Sequence, residues 1–208
     1  MNIAVLASHE GTTLQAVLDA CAAGTIAARV ALVIGNNAAS GSLRRARLAQ
    51  VETLHLSGAT HPDPEGLDRA LCAALAERRI DVVLLAGYMK RLGPVTLAQF
   101  SGRILNTHPA LLPRFGGLGM YGSNVHRAVL ASGERMSGAS VHLVDGGYDT
   151  GPLLAQVRVP VERADTEETL AARVQQAERA LVVQVLTDVA SGKRQLPGGH
   201  PSQSDPRA

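Results

Sequence analysis

Ile3-Ala4-Val5-Leu6-Ala7-Ser8-His9-Glu10-Gly11-Thr12-Thr13-Leu14 opens the chain and decides its fold class. Five apolar residues in a row read as a short buried strand, and the polar, Gly-containing segment after them reads as a turn. Leu14, Val17, Leu18 and Cys21 then recur at helical spacing, with Gly24 placed to end that helix. The alternation repeats, with strands over 30–34, 51–56 and 82–86. Helices fall around 43–49 and in a segment carrying Leu67, Leu71 and Leu75 on one face. The run over 82–86 is the most apolar and reads as a strand buried on both faces. Strands alternating with amphipathic helices predict right-handed crossovers and an α/β, doubly wound, mostly parallel sheet. Ligands of such sheets bind beyond the carboxyl ends of the strands. The segments that follow each strand are therefore where chemistry is sought.

The second half changes character. A strand over 103–105 leads into a Pro/Gly-rich stretch over 108–122, then a helix around 125–132 and strands over 139–144 and 153–159. A last helix is expected to start near Asp165, with Glu168 three residues on in a capping-box arrangement. No internal repeat and no linker divides the chain, so a single domain over 1–191 is expected, with a disordered tail over 192–208.

Of the 208 residues, 46% are hydrophobic but only 2% aromatic, and tryptophan is absent. The core must be built from Ala, Val, Leu and Ile. The formal net charge is +2, and Arg44-Arg45-Ala46-Arg47 reads as a solvated helix face, so no nucleic-acid partner is expected. Cys21 and Cys72 read as buried small hydrophobes within helices, since a metal site needs more ligands at closer spacing. Residues 1–6 enter a strand at once without a basic leader, and no stretch approaches the roughly 18 apolar residues of a membrane helix. A cytoplasmic enzyme working without a metal or a membrane is the expectation.

Three post-strand segments carry functional groups. In Ser8-His9-Glu10-Gly11-Thr12-Thr13, N–H groups at a helix N-terminus with Gly11 and two hydroxyls make an anion site; alternatively Thr12 or Thr13 simply caps the helix. In Asn106-Thr107-His108-Pro109-Ala110-Leu111-Leu112-Pro113, an Asn amide suits a developing oxyanion and His108 can exchange a proton near neutral pH; the bland alternative is a turn with a hydrogen-bonded His. Asp145-Gly146-Gly147-Tyr148-Asp149-Thr150-Gly151-Pro152 is ordinary turn chemistry unless a carboxylate reaches His108, where it would stabilise an imidazolium.

Asn-x-His-Pro-x-Leu-Leu-Pro over 106–113, followed about forty residues later by Asp-x-Gly-Pro over 149–152, resembles the active-site signature of the formyltetrahydrofolate-dependent formyltransferases. The resemblance is best to the branch that formylates glycinamide ribonucleotide and covers residues 1–192. It implies a Rossmann-like sheet, 10-formyltetrahydrofolate as cosubstrate, glycinamide ribonucleotide as acceptor, and a monomer or homodimer. It implies that Asn106 holds the formyl oxygen, His108 acts as general acid and Asp149 supports His108. Gly11, Thr12 and Thr13 would bind the acceptor phosphate, with Glu178 on its ribose side. Glu178 falls within the apolar stripe of Leu170, Val174, Ala177 and Leu181, so it should face the protein. Met89, Lys90 and Leu92, with backbone of Val144 and Asp145, would line the folate pocket; plain core packing is the other reading of Met89 and Leu92.

The chain departs from the family pattern at several points. His9 replaces a glycine and Thr13 an asparagine in the first loop, where Glu10 would repel a phosphate if it pointed inward. Pro64 stands where some members carry Arg, Arg91 replaces an apolar residue, and residues 116–122 are a variant insertion placed to shape a lid. Formyltetrahydrofolate hydrolase and methionyl-tRNA formyltransferase carry an additional domain, so chain length disfavours both. A vestigial binding module is disfavoured by the intact Asn106, His108 and Asp149. A serine hydrolase built on Ser140, His142 and Asp145 lacks a nucleophile elbow.

Overall fold

The structure, a computed structural model, describes residues 1–198. Seven strands and six helices alternate as β1 (Asn2–Ala7), α1 (Thr12–Ala22), β2 (Arg29–Gly35), α2 (Gly41–Leu48), β3 (Thr53–His55), α3 (Pro64–Glu77), β4 (Val82–Leu85), α4 (Pro94–Gln99), β5 (Ile104–His108), α5 (Ser123–Ala131), β6 (Met136–Leu143), β7 (Leu153–Pro160) and α6 (Glu167–Ala190). One sheet orders them β3-β2-β1-β4-β5-β6-β7. The five strands from β3 to β5 are parallel, and β6 and β7 add on antiparallel. The chain winds outward from β1 in one direction and from β4 in the other, which is the doubly wound arrangement expected. The switch point lies between β1 and β4, where the Ser8 N–H donates to the Gly87 carbonyl at 3.1 Å.

Strand pleating sorts the core into two layers. Ile3, Val5, Val82, Leu84 and Leu105 pack with α1, α2 and α6, while Ala4, Leu6, Val83, Leu85 and Ile104 pack with α3 and the end of α4. No aromatic is needed in the first layer, and Phe100 serves in the second. Among the described residues, no helix is long and apolar enough to cross a membrane.

Several sequence boundaries move. The fifth strand continues through Asn106, Thr107 and His108 because β6 runs alongside, pairing Asn106 with His142 and His108 with Ser140. The strand expected from 139 begins at Met136, and the third strand shrinks to three residues. The cap of the last helix is Thr166 rather than Asp165; its box partner is Thr169, and Glu168 instead accepts from the Thr166 hydroxyl at 2.7 Å. Cys21 and Cys72 are half-buried rather than buried. Of the expected tail, residues 199–208 lie outside the described residues, and Leu196 packs against the first core layer.

Helix α4 was not anticipated, since six residues carry too little periodicity. Its start is capped from another helix. Asp68 of α3, buried, accepts from the Val95 N–H at 2.8 Å, the Thr96 N–H at 3.1 Å and the Thr96 hydroxyl at 2.6 Å. A Cβ at Gly93 would collide with this carboxyl. Removing the carboxylate strands buried donors, whereas removing one hydroxyl does not. Asp68→Ala is therefore expected to lower the unfolding free energy by about 3 kcal/mol and Thr96→Val by about 1 kcal/mol in urea denaturation. A loss below about 0.5 kcal/mol for Asp68→Ala would show that α4 is held by something else.

Candidate active site

The carboxyl end of β5 places Asn106 and His108 on one face, two residues apart, with β6 opposite. Asn106 Nδ2 lies 3.0 Å from His142 Nε2, and His142 Nδ1 donates to the Leu143 carbonyl at 2.8 Å. Asp149, on the β6–β7 loop, reaches the same spot. Its Oδ1 accepts from Asn106 Nδ2 at 3.4 Å, and its Oδ2 accepts from the Gly117 N–H at 3.0 Å and lies 3.4 Å from His108 Nδ1. On the other side of the ring, His108 Nε2 donates to the Phe115 carbonyl at 2.7 Å.

Both nitrogens of His108 thus face acceptors, an arrangement that suits the doubly protonated ring. Burial opposes it and prevails, pushing the His108 pKa below its ordinary value, while Asp149 and the Phe115 carbonyl pull it back up. For Asp149, burial would raise the pKa, but the His142 ring, the Gly117 N–H and His108 outweigh it and hold the carboxyl below the usual range. Phe115 and Asp149, the two residues that grip the imidazole, have φ of 56° and 55°. Left-handed backbone at non-glycine residues costs energy and persists only where the surroundings enforce it.

The sheet brings the predicted trio Asn106, His108 and Asp149 into one cluster. His142, absent from that trio, belongs to the cluster as well. Its signal in the sequence was the polar interruption of an apolar strand, which only the β5–β6 register turns into a contact with Asn106. Ser140, the nucleophile of the hydrolase alternative, is fully engaged: it donates to the Ala110 carbonyl at 2.6 Å and accepts from the Leu112 N–H and from Gln156 Nε2. A cleft of about 490 Å³ between residues 112–117 and 148–153 borders Asp149. Among the described residues, no group of three or more His, Cys, Asp and Glu side chains is arranged to hold a metal ion.

The first loop ends on Gly11, which is the N-cap of α1, with φ 71° and no side-chain cap. Neither Thr12 nor Thr13 caps the helix, and a Cβ at Gly11 would sit 2.7 Å from Ser42 Cα. The first-turn N–H groups at Gly11, Thr12 and Thr13 are left without intrahelical acceptors. Glu10 points outward, 3.9 Å from Arg44, while Arg45 holds its carbonyl at 2.8 Å. Glu178 faces inward from α6 at 9% exposure. It accepts from the Thr13 hydroxyl at 3.2 Å and the Thr107 hydroxyl at 3.0 Å. Burial raises its pKa, and those two hydrogen bonds work against the rise.

Met89 is 40% exposed, and its N–H donates to Ser8 Oγ at 2.8 Å. Leu92 and Val144 each pack against the second core layer, and Lys90 is exposed. Asp145 closes its own turn, accepting from the Gly147 N–H and the Thr150 hydroxyl. Arg91 bridges the two loops: Nη2 donates to the Gly146 carbonyl at 2.7 Å, and the guanidinium lies 4.8 Å from the Tyr148 ring centre.

Comparison with known proteins gives the same outline. The formyl transferase family model matches residues 1–186. Phosphoribosylglycinamide formyltransferase of Escherichia coli (strain K12) is 39% identical over 196 residues, 94% of this chain and 90% of that protein. The Mycobacterium tuberculosis (strain H37Rv) protein of the same name is 43% identical over 190 residues, 91% and 85% of the two chains. The crystal structure of glycinamide ribonucleotide transformylase 1 from Symbiobacterium toebii superposes with a TM-score of 0.87 at 41% identity, covering 92% of this chain and 88% of that one.

The negative charge of Asp149 favours the imidazolium form of His108, so its removal should act in one direction. Asp149→Asn is expected to lower the His108 pKa further, read from the imidazole resonances in an NMR titration. An unchanged or raised value would mean that Asp149 does not support the ring's charge.

Proposed function

The chain belongs to the formyl transferase family, and from that premise we propose that it transfers the formyl group of 10-formyltetrahydrofolate to the amine of 5-phosphoribosylglycinamide, a step of purine biosynthesis. The observation that carries this reading is the convergence of Asn106, His108 and Asp149 at the end of β5. The acceptor phosphate sits on the N–H groups at Gly11, Thr12 and Thr13, where an α-helix N-terminus favours an anion, and Glu178 takes the ribose. Met89, Lys90 and Leu92 and the backbone of Val144 and Asp145 hold the folate on this reading. On this reading the enzyme works in the cytoplasm on two small molecules.

The amine attacks the formyl carbon directly, and the formyl oxygen takes up negative charge. In this mechanism Asn106 Nδ2 gives one hydrogen to His142; the other, only loosely held by Asp149 at 3.4 Å, turns to that oxygen. When the tetrahedral adduct collapses, the C–N bond to the folate breaks and His108 gives its proton to the departing nitrogen. Asp149 accepts the proton released by the attacking amine through water and keeps His108 supplied. Holding two substrates against a preorganised donor and acid provides the rate enhancement.

Formyl transfer measured with and without glycinamide ribonucleotide tests the reading. Folate deformylation should depend on the nucleotide, and Asn106→Ala, His108→Ala and Asp149→Asn should each cut kcat by about 10²–10³. Release of formate without the nucleotide would replace the proposal with a hydrolase.

A further inference from the structure

Thr107 is the unspecified position inside Asn-x-His-Pro, and strand pleating turns it away from Asn106 and His108. It points to the sheet face where Leu105 packs with α1 and α6. There its hydroxyl donates to Glu178 Oε1 at 3.0 Å, and the Thr13 hydroxyl at the start of α1 donates to the same oxygen at 3.2 Å. Among the described residues, no Lys or Arg lies within ion-pair reach of Glu178, which makes the two hydroxyls its direct partners. Oε2 takes no protein hydrogen bond, yet it is not sealed from solvent.

We infer that Thr107, assisted by Thr13, is a positioning residue that holds Glu178 by one oxygen and leaves Oε2 presented to the acceptor ribose. The inference rests on the reading of Glu178 as an acceptor-binding group. A buried carboxylate without a close ion pair needs hydrogen bonds to be held in one rotamer. Two donors on Oε1, arriving from β5 and α1, fix the side chain from two elements at once. The strand that carries Asn106 and His108 on one face therefore carries, on the other, the hydroxyl that holds Glu178.

The test is steady-state kinetics of the full-length enzyme, with glycinamide ribonucleotide and 10-formyltetrahydrofolate varied in turn. Thr107→Val, close in shape but without the donor, is expected to raise the nucleotide KM about tenfold, leaving the folate KM and kcat within about twofold. Thr107→Ser should restore the nucleotide KM. Thr13→Val, at the edge of the site, should move the same constant in the same direction and gives a second reading if Thr107→Val folds poorly. Glu178→Gln reports on the underlying assignment. If it raises the nucleotide KM while both valine variants leave it unchanged, the positioning role is wrong and the acceptor assignment stands. If Glu178→Gln itself leaves that KM unchanged, the assignment beneath it is wrong. A fall in kcat alone in Thr107→Val, not reversed by Ser, would also overturn the inference.

Discussion

The register between β5 and β6 governs the carboxyl edge of the sheet. β4 accompanies β5 only as far as Asn106, and beyond that point the last two residues of β5 are held by β6 alone. The pairing sets His142 against Asn106 and Ser140 against His108. A slip of one residue would turn Asn106 and His108 onto the face of α1 and α6, and Thr107 onto the face of Asp149. Ser140 guards against this. Its hydroxyl is locked to the backbone of Ala110 and Leu112, so the chain leaving β5 is tied to β6 immediately past the strand.

A half-buried and a buried carboxylate meet opposite fates in this frame. Asp149 is surrounded by an N–H, an amide and two imidazoles, and its pKa falls. Glu178 receives only two hydroxyls in a deeper setting, and its pKa rises. Burial is the common cost, and the number and polarity of donors decide its sign. Pairs of groups pushed apart in this way mark sites where proton transfer and ligand binding are divided among residues.

Much of this was legible in the sequence, and the parts that were not share a cause. The alternation of apolar runs with helical stripes predicts the doubly wound sheet, because each element must bury one face. The inward direction of Glu178 follows from its place in the stripe with Leu170 and Val174. The end of β5 was misplaced because Asn106, Thr107 and His108 are polar, and polar residues do not resemble a buried strand until a neighbour explains them. His142 escaped for the same reason: the Asn106 contact is created by register, which one-dimensional periodicity does not contain. The Phe115 carbonyl leaves no sequence trace at all, since its direction comes from a left-handed backbone. Asp68 capping α4 from α3 is likewise a contact between segments 27 and 28 residues apart.

The scarcity of aromatics has an optical consequence. The chain has no tryptophan and three tyrosines, so its ultraviolet emission originates from Tyr88, Tyr121 and Tyr148 alone. Tyr88 lies beside Met89 with its phenol pushed up to about 12 by burial, Tyr148 lies under the Arg91 guanidinium next to Asp149, and Tyr121 stands in the loop before α5. All three belong to loops around the carboxyl edge, and none is spent in the bulk of the core. The molecule thus carries an intrinsic chromophore set blind to most of its interior and placed in the loops that leave the sheet, with Tyr148 at the cleft beside Asp149.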